Sequence, residues 1–363
     1  MASDFGLPAN EHSETLAGVG EGEVLRRIFP RLPHADAELL GPGDDAAVVA
    51  APDGRYVVTT DLMVHGPDFR SAWSSAHDLG WKAAMTNLAD VAAMGARPTA
   101  LVVGLAAPLD TPVDVLLGIA DGLRDACALA WPGCGVVGGD LSVSPALMIS
   151  VTAFGDLEGR PPVTRSGARP GDQLAVAGDL GRAGAGLWLL FRDGVSTAGH
   201  TSGIDPVPGE PDAELGTAVR AAHPALVDAQ LAPVAPIALG VPAAEGGATA
   251  MLDVSDGLVL DARRLAQASG CTVQLDPAAV DREAQLLREL DPVVGDRAAR
   301  FVLAGGEEHA LLAAFPAGPL PEGFRRIGSV RAVDGAADVL IGDHPFDDRG
   351  GWDPYADWDG NAG

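Results

Sequence analysis

The sequence is nearly devoid of lysine. Of its 24 basic residues, 23 are arginine and one, Lys82, is lysine. A P-loop requires Gly-x-x-x-x-Gly-Lys followed by Ser or Thr, and protein kinases place a strand lysine over the nucleotide phosphates. Lys82 stands in Gly80-Trp81-Lys82-Ala83 and fits neither pattern. If the protein binds a nucleotide, metal ions and at most an arginine must balance the phosphate charge.

Cysteine and long apolar runs are also scarce. Cys127, Cys134 and Cys271 are too few and too scattered for a disulfide framework or a Cys-x-x-Cys metal site, so we expect free thiols. The longest apolar segment, residues 100–109, is much shorter than the roughly 18 residues of a membrane span. The N-terminus has no basic region followed by an apolar one, as a signal peptide would. We therefore expect a soluble, cytoplasmic protein.

Acidic residues outnumber basic ones by 50 to 24, which gives a net charge of −26. Affinity for DNA or RNA comes mainly from basic side chains that neutralise phosphates, and adsorption to anionic lipid also needs positive charge. The charge balance therefore opposes a nucleic-acid or membrane partner.

Composition and periodicity predict two α/β domains. Residues 1–22 are rich in Gly, Glu and Ser without periodicity and are predicted to be a loose leader. Residues 23–160 are predicted to be one domain and residues 161–345 a second α/β domain, because the chain becomes rich in Pro and Gly near 159–162. A polar tail with several aromatics follows at 346–363. Within the first domain, residues 48–50 and 56–61 are predicted to pair as strands around a Pro-Asp-Gly turn.

Short acidic segments beside Gly, Ser or Thr follow several predicted strands. Each has a simple alternative explanation, since Asp and Gly are favoured in turns. Together they suggest a ligand site, because open α/β folds bind ligands at strand ends and glycines let the backbone approach phosphates. Carboxylates repel phosphates unless divalent cations lie between them, and Mg²⁺ prefers such oxygen ligands. The segments are Gly43-Asp44-Asp45, Thr59-Thr60-Asp61, Gly138-Gly139-Asp140, Asp253-Val254-Ser255-Asp256-Gly257 and Gly305-Gly306-Glu307-Glu308.

Further candidates lie outside these segments. A helix from Ser74 or Ser75 to Met94 would carry Asn87 and Asp90 at the edge of its apolar face, unless the face is rotated and both are solvated. Arg165 follows the predicted domain boundary and would clamp a phosphate or be an ordinary surface arginine. Trp352 would stack on a flat ring or anchor the tail.

In this order, the segments resemble the thiamine-monophosphate kinase family of the aminoimidazole-ribonucleotide synthetase (PurM-like) superfamily. The likeness covers roughly residues 22–358. Besides the acidic segments, it rests on the run from Asn87 to Ala96, on Arg165-Ser166-Gly167-Ala168 and on Gly351-Trp352-Asp353.

The resemblance implies a two-domain PurM-like α/β (α+β) fold. The strands of the N-terminal domain would form a barrel shared across a homodimer, followed by a C-terminal α/β domain. ATP and several Mg²⁺ ions would lie between the domains, with thiamine monophosphate as the acceptor. The implied metal ligands are Asp45, Thr59, Thr60, Asp61, Asp90, Asp140, Asp253 and Asp256. Among them, Asp61, Asp140 and Asp256 would be catalytic. The implied ATP contacts are Gly139, Asp140, Arg165 and Ser255. Glu307 and Trp352 would hold the thiamine moiety.

The sequence departs from the family pattern at two places. Gly66-Pro67-Asp68-Phe69 stands where the family usually reads Gly-Val-His-Phe, so that Asp68 replaces a histidine at the substrate's edge. Its carboxylate would pair with the cationic thiazolium, or the role would move to His65. Glu308-His309 replaces the more usual Asp-Tyr after Gly-Gly-Glu.

For the kinase that the resemblance implies, we expect direct in-line phosphoryl transfer without a phosphoenzyme, since this transfer needs positioning and charge neutralisation more than a general base. The alternatives are a related synthetase or a non-catalytic protein that binds nucleotide or metal. A selenophosphate synthetase would carry a reactive residue near its N-terminus, yet no cysteine precedes Cys127. The hydrogenase-maturation relative would end in cysteine, whereas this chain ends Asn361-Ala362-Gly363.

Overall fold

A computed structural model describes residues 14–41, 47–196, 209–333, 338–346, 348, 350 and 351. They form two regions, each built on its own β-sheet, joined through the long helix that follows the first strand of the first sheet. In this described part of the chain, no helix is both long enough and apolar enough to cross a bilayer.

The N-terminal region holds a four-stranded sheet in the order β3-β6-β4-β5, in which β4 and β5 are parallel and the other pairs antiparallel. Helices α3 and α4 pack against each other and against this sheet. The elements are α1 (Leu16–Val19), α2 (Glu21–Ile28), β1 (Glu38–Leu40), β2 (Val48–Val49), β3 (Val57–Val64), α3 (Ala76–Ala93), β4 (Arg97–Ala107), α4 (Val113–Ala130), β5 (Gly135–Val143) and β6 (Met148–Asp156).

The predicted helix over residues 75–94 is confirmed, and its sequence explains both ends. Ser75 accepts a hydrogen bond from the N–H of Asp78, and the Asp78 side chain accepts one from the N–H of Ser75, which completes a capping box. After the helix, Gly95 adopts a φ of 70°, which glycine tolerates best. The two ends fix which residues of α3 face the rest of the molecule.

Two local predictions for the N-terminal region are wrong. The segments 48–50 and 56–61 do not pair with each other, because β2 pairs with β1 and β3 pairs with β6, about ninety residues further along the chain. Residues 1–22 are also not loose throughout as predicted, since α1 and the start of α2 fall within them and Leu16 is buried.

The C-terminal region holds a seven-stranded sheet in the order β10-β12-β7-β13-β11-β14-β15, with β11 and β14 as its parallel pair. Its elements are β7 (Gln173–Ala177), α5 (Arg182–Asp193), β8 (Val195–Ser196), β9 (Glu210–Pro211), α6 (Ala213–Ala222), α7 (Pro224–Leu231), α8 (Gly240–Glu245), β10 (Ala250–Val254), α9 (Leu258–Ser269), β11 (Thr272–Leu275), α10 (Pro277–Leu290), α11 (Ala298–Ala304), β12 (Ala310–Phe315), β13 (Arg325–Arg331), β14 (Val339–Ile341) and β15 (His344–Pro345).

One hydrophobic core crosses from the first region into the second. Buried residues of α3 such as Leu88 pack in the same cluster as Met251 and Leu311, which lie on one face of the C-terminal sheet. The other face of that sheet packs against α5, α7, α9, α10 and α11 in a separate cluster. Helix α3 therefore lies between the two sheets, and polar groups on it can reach both.

Candidate active site

Helix α3 directs three polar side chains toward the C-terminal region at intervals of four residues. Lys82, Thr86 and Asp90 lie on one face of the helix, because residues four apart stack one turn above another. Lys82 contacts Glu307, and Thr86 contacts His309. The pKa of Asp90 responds to Asp253. These three side chains form a line along α3, and along this line the N-terminal region contacts the C-terminal region.

An acidic cluster occupies the end of this line nearest β3. Thr59 donates a hydrogen bond to Asp90 (Oγ1 to Oδ2, 2.7 Å), and the main-chain N–H of Asp61 donates to Asn87 (3.1 Å). Asn87 is buried and donates in turn to the carbonyl of Ala83, which fixes its amide. The sequence-based placement of Asn87 and Asp90 on the inner side of α3 is therefore confirmed.

The carboxyl groups of this cluster oppose one another's ionisation. Burial raises the pKa of Asp90 to about 6, together with the negative charges of Asp253 and Asp61 and against the hydrogen bond from Thr59. Burial also raises the pKa of Asp61; His309 opposes this shift, and the negative charges of Asp253 and Glu307 add to it. Like charges held close together in a partly dry site would be stabilised by a cation.

Asp253 is fixed by a histidine that sequence reasoning treated as a minor departure. His309 Nδ1 lies 2.9 Å from Asp253 Oδ2, and His309 Nε2 lies 3.1 Å from the Thr86 hydroxyl. Asp253 and His309 are 5% and 3% exposed. Burial lowers the pKa of His309, but the carboxylates of Asp253 and Glu307 together raise it more. The histidine thus joins β10 to α3 inside the protein.

The loop before β12 delivers its successive side chains to different partners. Gly306 lies so close to Ser255 that a Cβ atom would come within 2.1 Å of the Ser255 carbonyl oxygen. That carbonyl accepts a hydrogen bond from the N–H of Glu307 (2.8 Å). Glu307 and His309 both have positive φ, at 76° and 54°, which is uncommon for residues other than glycine. This backbone directs Glu307 and His309 toward α3 and turns Glu308 toward α5.

Glu308 is buried at the start of α5. One carboxyl oxygen accepts a hydrogen bond from the N–H of Ala183 (2.8 Å), while the other has no hydrogen-bond partner among the described residues. Burial raises the pKa of Glu308 to about 8, so the carboxyl is protonated in the folded protein at neutral pH.

Glu307 forms the ion pair at the other end of the line. Its Oε2 contacts the ammonium of Lys82, whose side chain is 8% exposed, while the Glu307 side chain is 39% exposed. Burial raises the pKa of Glu307, but the Lys82 ammonium and His309 lower it more, so the carboxylate is ionised. Asp68 lies within reach of both charges and accepts a hydrogen bond from the N–H of Val64 (2.7 Å). His65 stacks edge-on against Phe69 in the same turn.

Several of the predicted site residues lie apart from this cluster. The Thr60 hydroxyl donates to the carbonyl of Val151 and accepts from Thr152, on the face of β3 opposite to that of Thr59. Asp140 is exposed on β5, three strands from Asp61, a separation of roughly 14 Å at about 4.8 Å per strand. Gly139 packs so tightly that a Cβ atom would lie 2.1 Å from the carbonyl oxygen of Val103.

The remaining predicted residues are near the cluster, remote from it, or outside the described residues. Asp256 accepts a hydrogen bond from Arg264 (2.6 Å), so one of its oxygens already has a charged partner. Arg165 is exposed, and its carbonyl accepts from Ser269 at the far end of α9 from Ser255. Asp45 and Trp352 lie outside the described residues. Among the described residues, no three Asp, Glu, His or Cys side chains converge closely enough to hold a metal ion by themselves.

Sequence reasoning missed Lys82, Thr86 and His309. The signal for Lys82 was available, since it is the sole lysine of the chain and stands on the buried side of α3. The spacing of four between Lys82, Thr86 and Asp90 was also visible. Nothing local indicated that His309 reaches Asp253.

Comparisons with known proteins identify the family to which the chain is similar. Residues 43–157 match the model of the family described as AIR synthase related protein, N-terminal domain. The thiamine-monophosphate kinase of Mycobacterium tuberculosis is 42% identical over 347 residues, covering 96% of this chain and 95% of the relative. That of Corynebacterium glutamicum is 40% identical over 319 residues, covering 87% of each chain.

Solved structures give the same result. The thiamine-monophosphate kinase of Stenotrophomonas maltophilia K279a superposes with a TM-score of 0.67 at 28% identity, covering 90% of this chain and 96% of the other. AaThiL, solved in complex with AMPPCP and TMP, superposes with a TM-score of 0.65 at 30% identity, covering 85% and 90%. The resemblance seen in the sequence is thus confirmed, and the chain belongs to the thiamine-monophosphate kinase family.

Proposed function

We propose that the protein transfers the γ-phosphoryl group of ATP to thiamine monophosphate, giving thiamine diphosphate and ADP, in the cytoplasm. The observation that carries the proposal is that Asp61 and Asp90 of the N-terminal region lie close enough to Asp253 of the C-terminal region for its charge to raise their pKa values. AaThiL, whose fold this chain shares, has been solved with an ATP analogue and TMP together.

The donor set of the cluster suits Mg²⁺. Asp61, Asp90 and Asp253 offer carboxylate oxygens, as this ion prefers, and Mg²⁺ is commonly held by one or two carboxylates together with substrate phosphates. When bound, it would neutralise the repulsion between nucleotide and acceptor. Thr59 orients Asp90, and His309 orients Asp253. Asp45, Thr60, Asp140 and Asp256 remain proposed ligands.

In this reaction the protein mainly has to hold two anions, ATP and the phosphate acceptor, in line with each other. A phosphate acceptor is already ionised near neutral pH, so we assign no general base. Gly139, Arg165 and Ser255 remain the proposed contacts to ATP. Asp68 and Glu307 are proposed to contact the thiamine moiety, with Trp352 stacked on it.

A homodimer with a shared barrel is the proposed assembly. The described strands leave one face of the N-terminal sheet bearing exposed apolar side chains of β3, with Val58 at 59% and Leu62 at 54% exposure. Such a face is favourable for packing against a second sheet.

The test is to mix the purified protein with ATP, Mg²⁺ and thiamine monophosphate and to separate the products by chromatography. We expect thiamine diphosphate and ADP in equal amounts. Binding of ATP without formation of thiamine diphosphate would overturn the proposal and favour a non-catalytic role. Activity toward another acceptor alone would favour a related synthetase.

A further inference from the structure

The sole lysine of the chain is enclosed where the two regions meet. Lys82 extends from α3, and its ammonium contacts Glu307 Oε2 and donates to the carbonyl of Gln230 at 3.2 Å. With 8% of its side chain exposed, it is not placed to act as a mobile phosphate-binding group. Burial of an ammonium is costly unless a carboxylate accompanies it. We therefore interpret Lys82 as the ion-pair partner of Glu307 and not as a phosphate-binding residue.

The ion pair fixes Glu307 while leaving part of it accessible. Glu307 is held from one side by Lys82 and from the other by the hydrogen bond from its own N–H to Ser255. Its side chain remains 39% exposed. A carboxylate that is fixed in place and still partly accessible is suited to contact a ligand.

Asp68 supplies a second negative charge beside this pair. The turn that contains Gly66, with a φ of 112°, lets the Asp68 carboxylate accept the N–H of Val64. The side chain is exposed, and the charges of Glu307 and Lys82 both reach it. With all three groups ionised, two carboxylates and one ammonium leave a net charge of minus one.

We infer that Lys82, Glu307 and Asp68 form an acceptor-selecting group that favours a singly positive heteroaromatic ring over a neutral ring of the same shape, with Lys82 as the positioning residue for Glu307. The inference rests on the proposed function and deepens it. It also accounts for an acidic residue at position 68. A protonated histidine there would instead leave the group with a net charge of plus one, because Lys82 and Glu307 neutralise each other.

The test compares two acceptors: thiamine monophosphate and its neutral isostere, in which a thiophene replaces the thiazolium ring. For wild type, we expect kcat/KM to favour the cationic acceptor by about tenfold or more, which corresponds to about 1.4 kcal/mol of discrimination. In Asp68→Asn, this preference should fall about tenfold, while the KM for ATP stays unchanged. Asp281→Asn, on the exposed side of α10, makes the same charge change far from the group and should keep the preference.

Lys82 is tested by Lys82→Met and Lys82→Arg. We expect Lys82→Met to raise the KM for thiamine monophosphate about tenfold with a much smaller change in kcat, and Lys82→Arg to recover most of the loss. A fall in kcat with both KM values unchanged would overturn the positioning role. Equal losses for the two acceptors in Asp68→Asn would overturn the charge selection. Because Asp68 is exposed, this variant still tests the inference if Lys82→Met fails to fold.

Failure of the proposed function is distinguishable from failure of the inference. If wild type does not phosphorylate thiamine monophosphate, calorimetric titration of the two acceptors without ATP still measures the preference for the cationic ring. Equal affinity for the two acceptors in that titration would overturn the inference. An active wild type without any preference would overturn the inference and leave the kinase function intact.

Discussion

Asp253 and His309 form a buried pair in which Oδ2 and Nδ1 are 2.9 Å apart, although 56 residues separate them in the sequence. The opposite nitrogen of the same imidazole meets the Thr86 hydroxyl on α3. A carboxylate proposed to hold a cation is thereby oriented by a residue that also touches the other region. The orientation of Asp253 therefore depends on how the two regions pack.

His309→Phe should weaken both stability and turnover, because it leaves the buried Asp253 carboxylate without this hydrogen bond. We expect a loss of about 1–3 kcal/mol in the free energy of unfolding, measured by urea denaturation. Thr86→Val removes only the opposite contact and is the matched control, with a smaller expected loss. Equal losses in the two variants would show that the contact to Asp253 carries no special weight.

Glu308→Gln should stabilise the protein more at high pH than at low pH. The pKa of Glu308 is about 8 when folded, above its ordinary value of 4.5, so the folded state holds a proton that the unfolded state releases between these values. Stability contributed by this group is therefore present below about pH 4.5 and is lost as the pH rises toward 8. Since glutamine stays neutral, we expect it to recover on the order of 2–3 kcal/mol near pH 7.

The measurement is thermal unfolding of wild type and Glu308→Gln from pH 5 to pH 8. The difference in Tm between them should widen steadily with pH. A difference that is constant across this range would mean that Glu308 is ionised in the folded protein.

Asp61→Asn and Asp90→Asn should each lower kcat by about 100-fold or more, because a proposed cation ligand is lost. Both should keep or raise the Tm in the absence of Mg²⁺, since each relieves repulsion in the cluster. The Mg²⁺ concentration that gives half-maximal activity should rise. Near-normal turnover in both variants would contradict the assignment of the cluster.

Leu62→Arg should convert the proposed dimer into a monomer, because it places a charge on the exposed face of β3. Sedimentation-velocity analysis would report the change in mass. Leu286→Arg on α10 makes the same substitution at a side chain of similar exposure, 57%, and should leave the mass unchanged. A wild-type protein that sediments as a monomer at micromolar concentration would refute the assembly.

Local signals predicted the parts of the fold that depend on neighbours in sequence. The capping box of Ser75 and the glycine at position 95 define α3, and the helical period placed Asn87 and Asp90 correctly. The predicted hairpin before Asp61 was wrong because β3 pairs with β6, and a turn sequence carries no information about a distant partner.

In the candidate site too, features set by neighbouring residues were predictable, whereas contacts between residues far apart in sequence were not. Thr59 and Thr60 are both proposed as metal ligands, and the alternation of side chains along a strand implies that their hydroxyls face opposite ways. Only the pairing of β3 reveals that Thr59 faces Asp90 while Thr60 meets Thr152. The contacts of Lys82 with Glu307 and of His309 with Asp253 join residues far apart in sequence, so the structure was needed to find them.

Because Lys82, Thr86 and Asp90 occupy successive turns of one helix, helical pitch sets the distance between the proposed acceptor end and the proposed cation end of the site. Eight residues at about 1.5 Å each give a separation of roughly 12 Å along the helix axis. Inserting a single residue between Lys82 and Asp90 would turn one end by about 100° relative to the other. Such a change would separate the two halves of the site even though every contributing side chain remained.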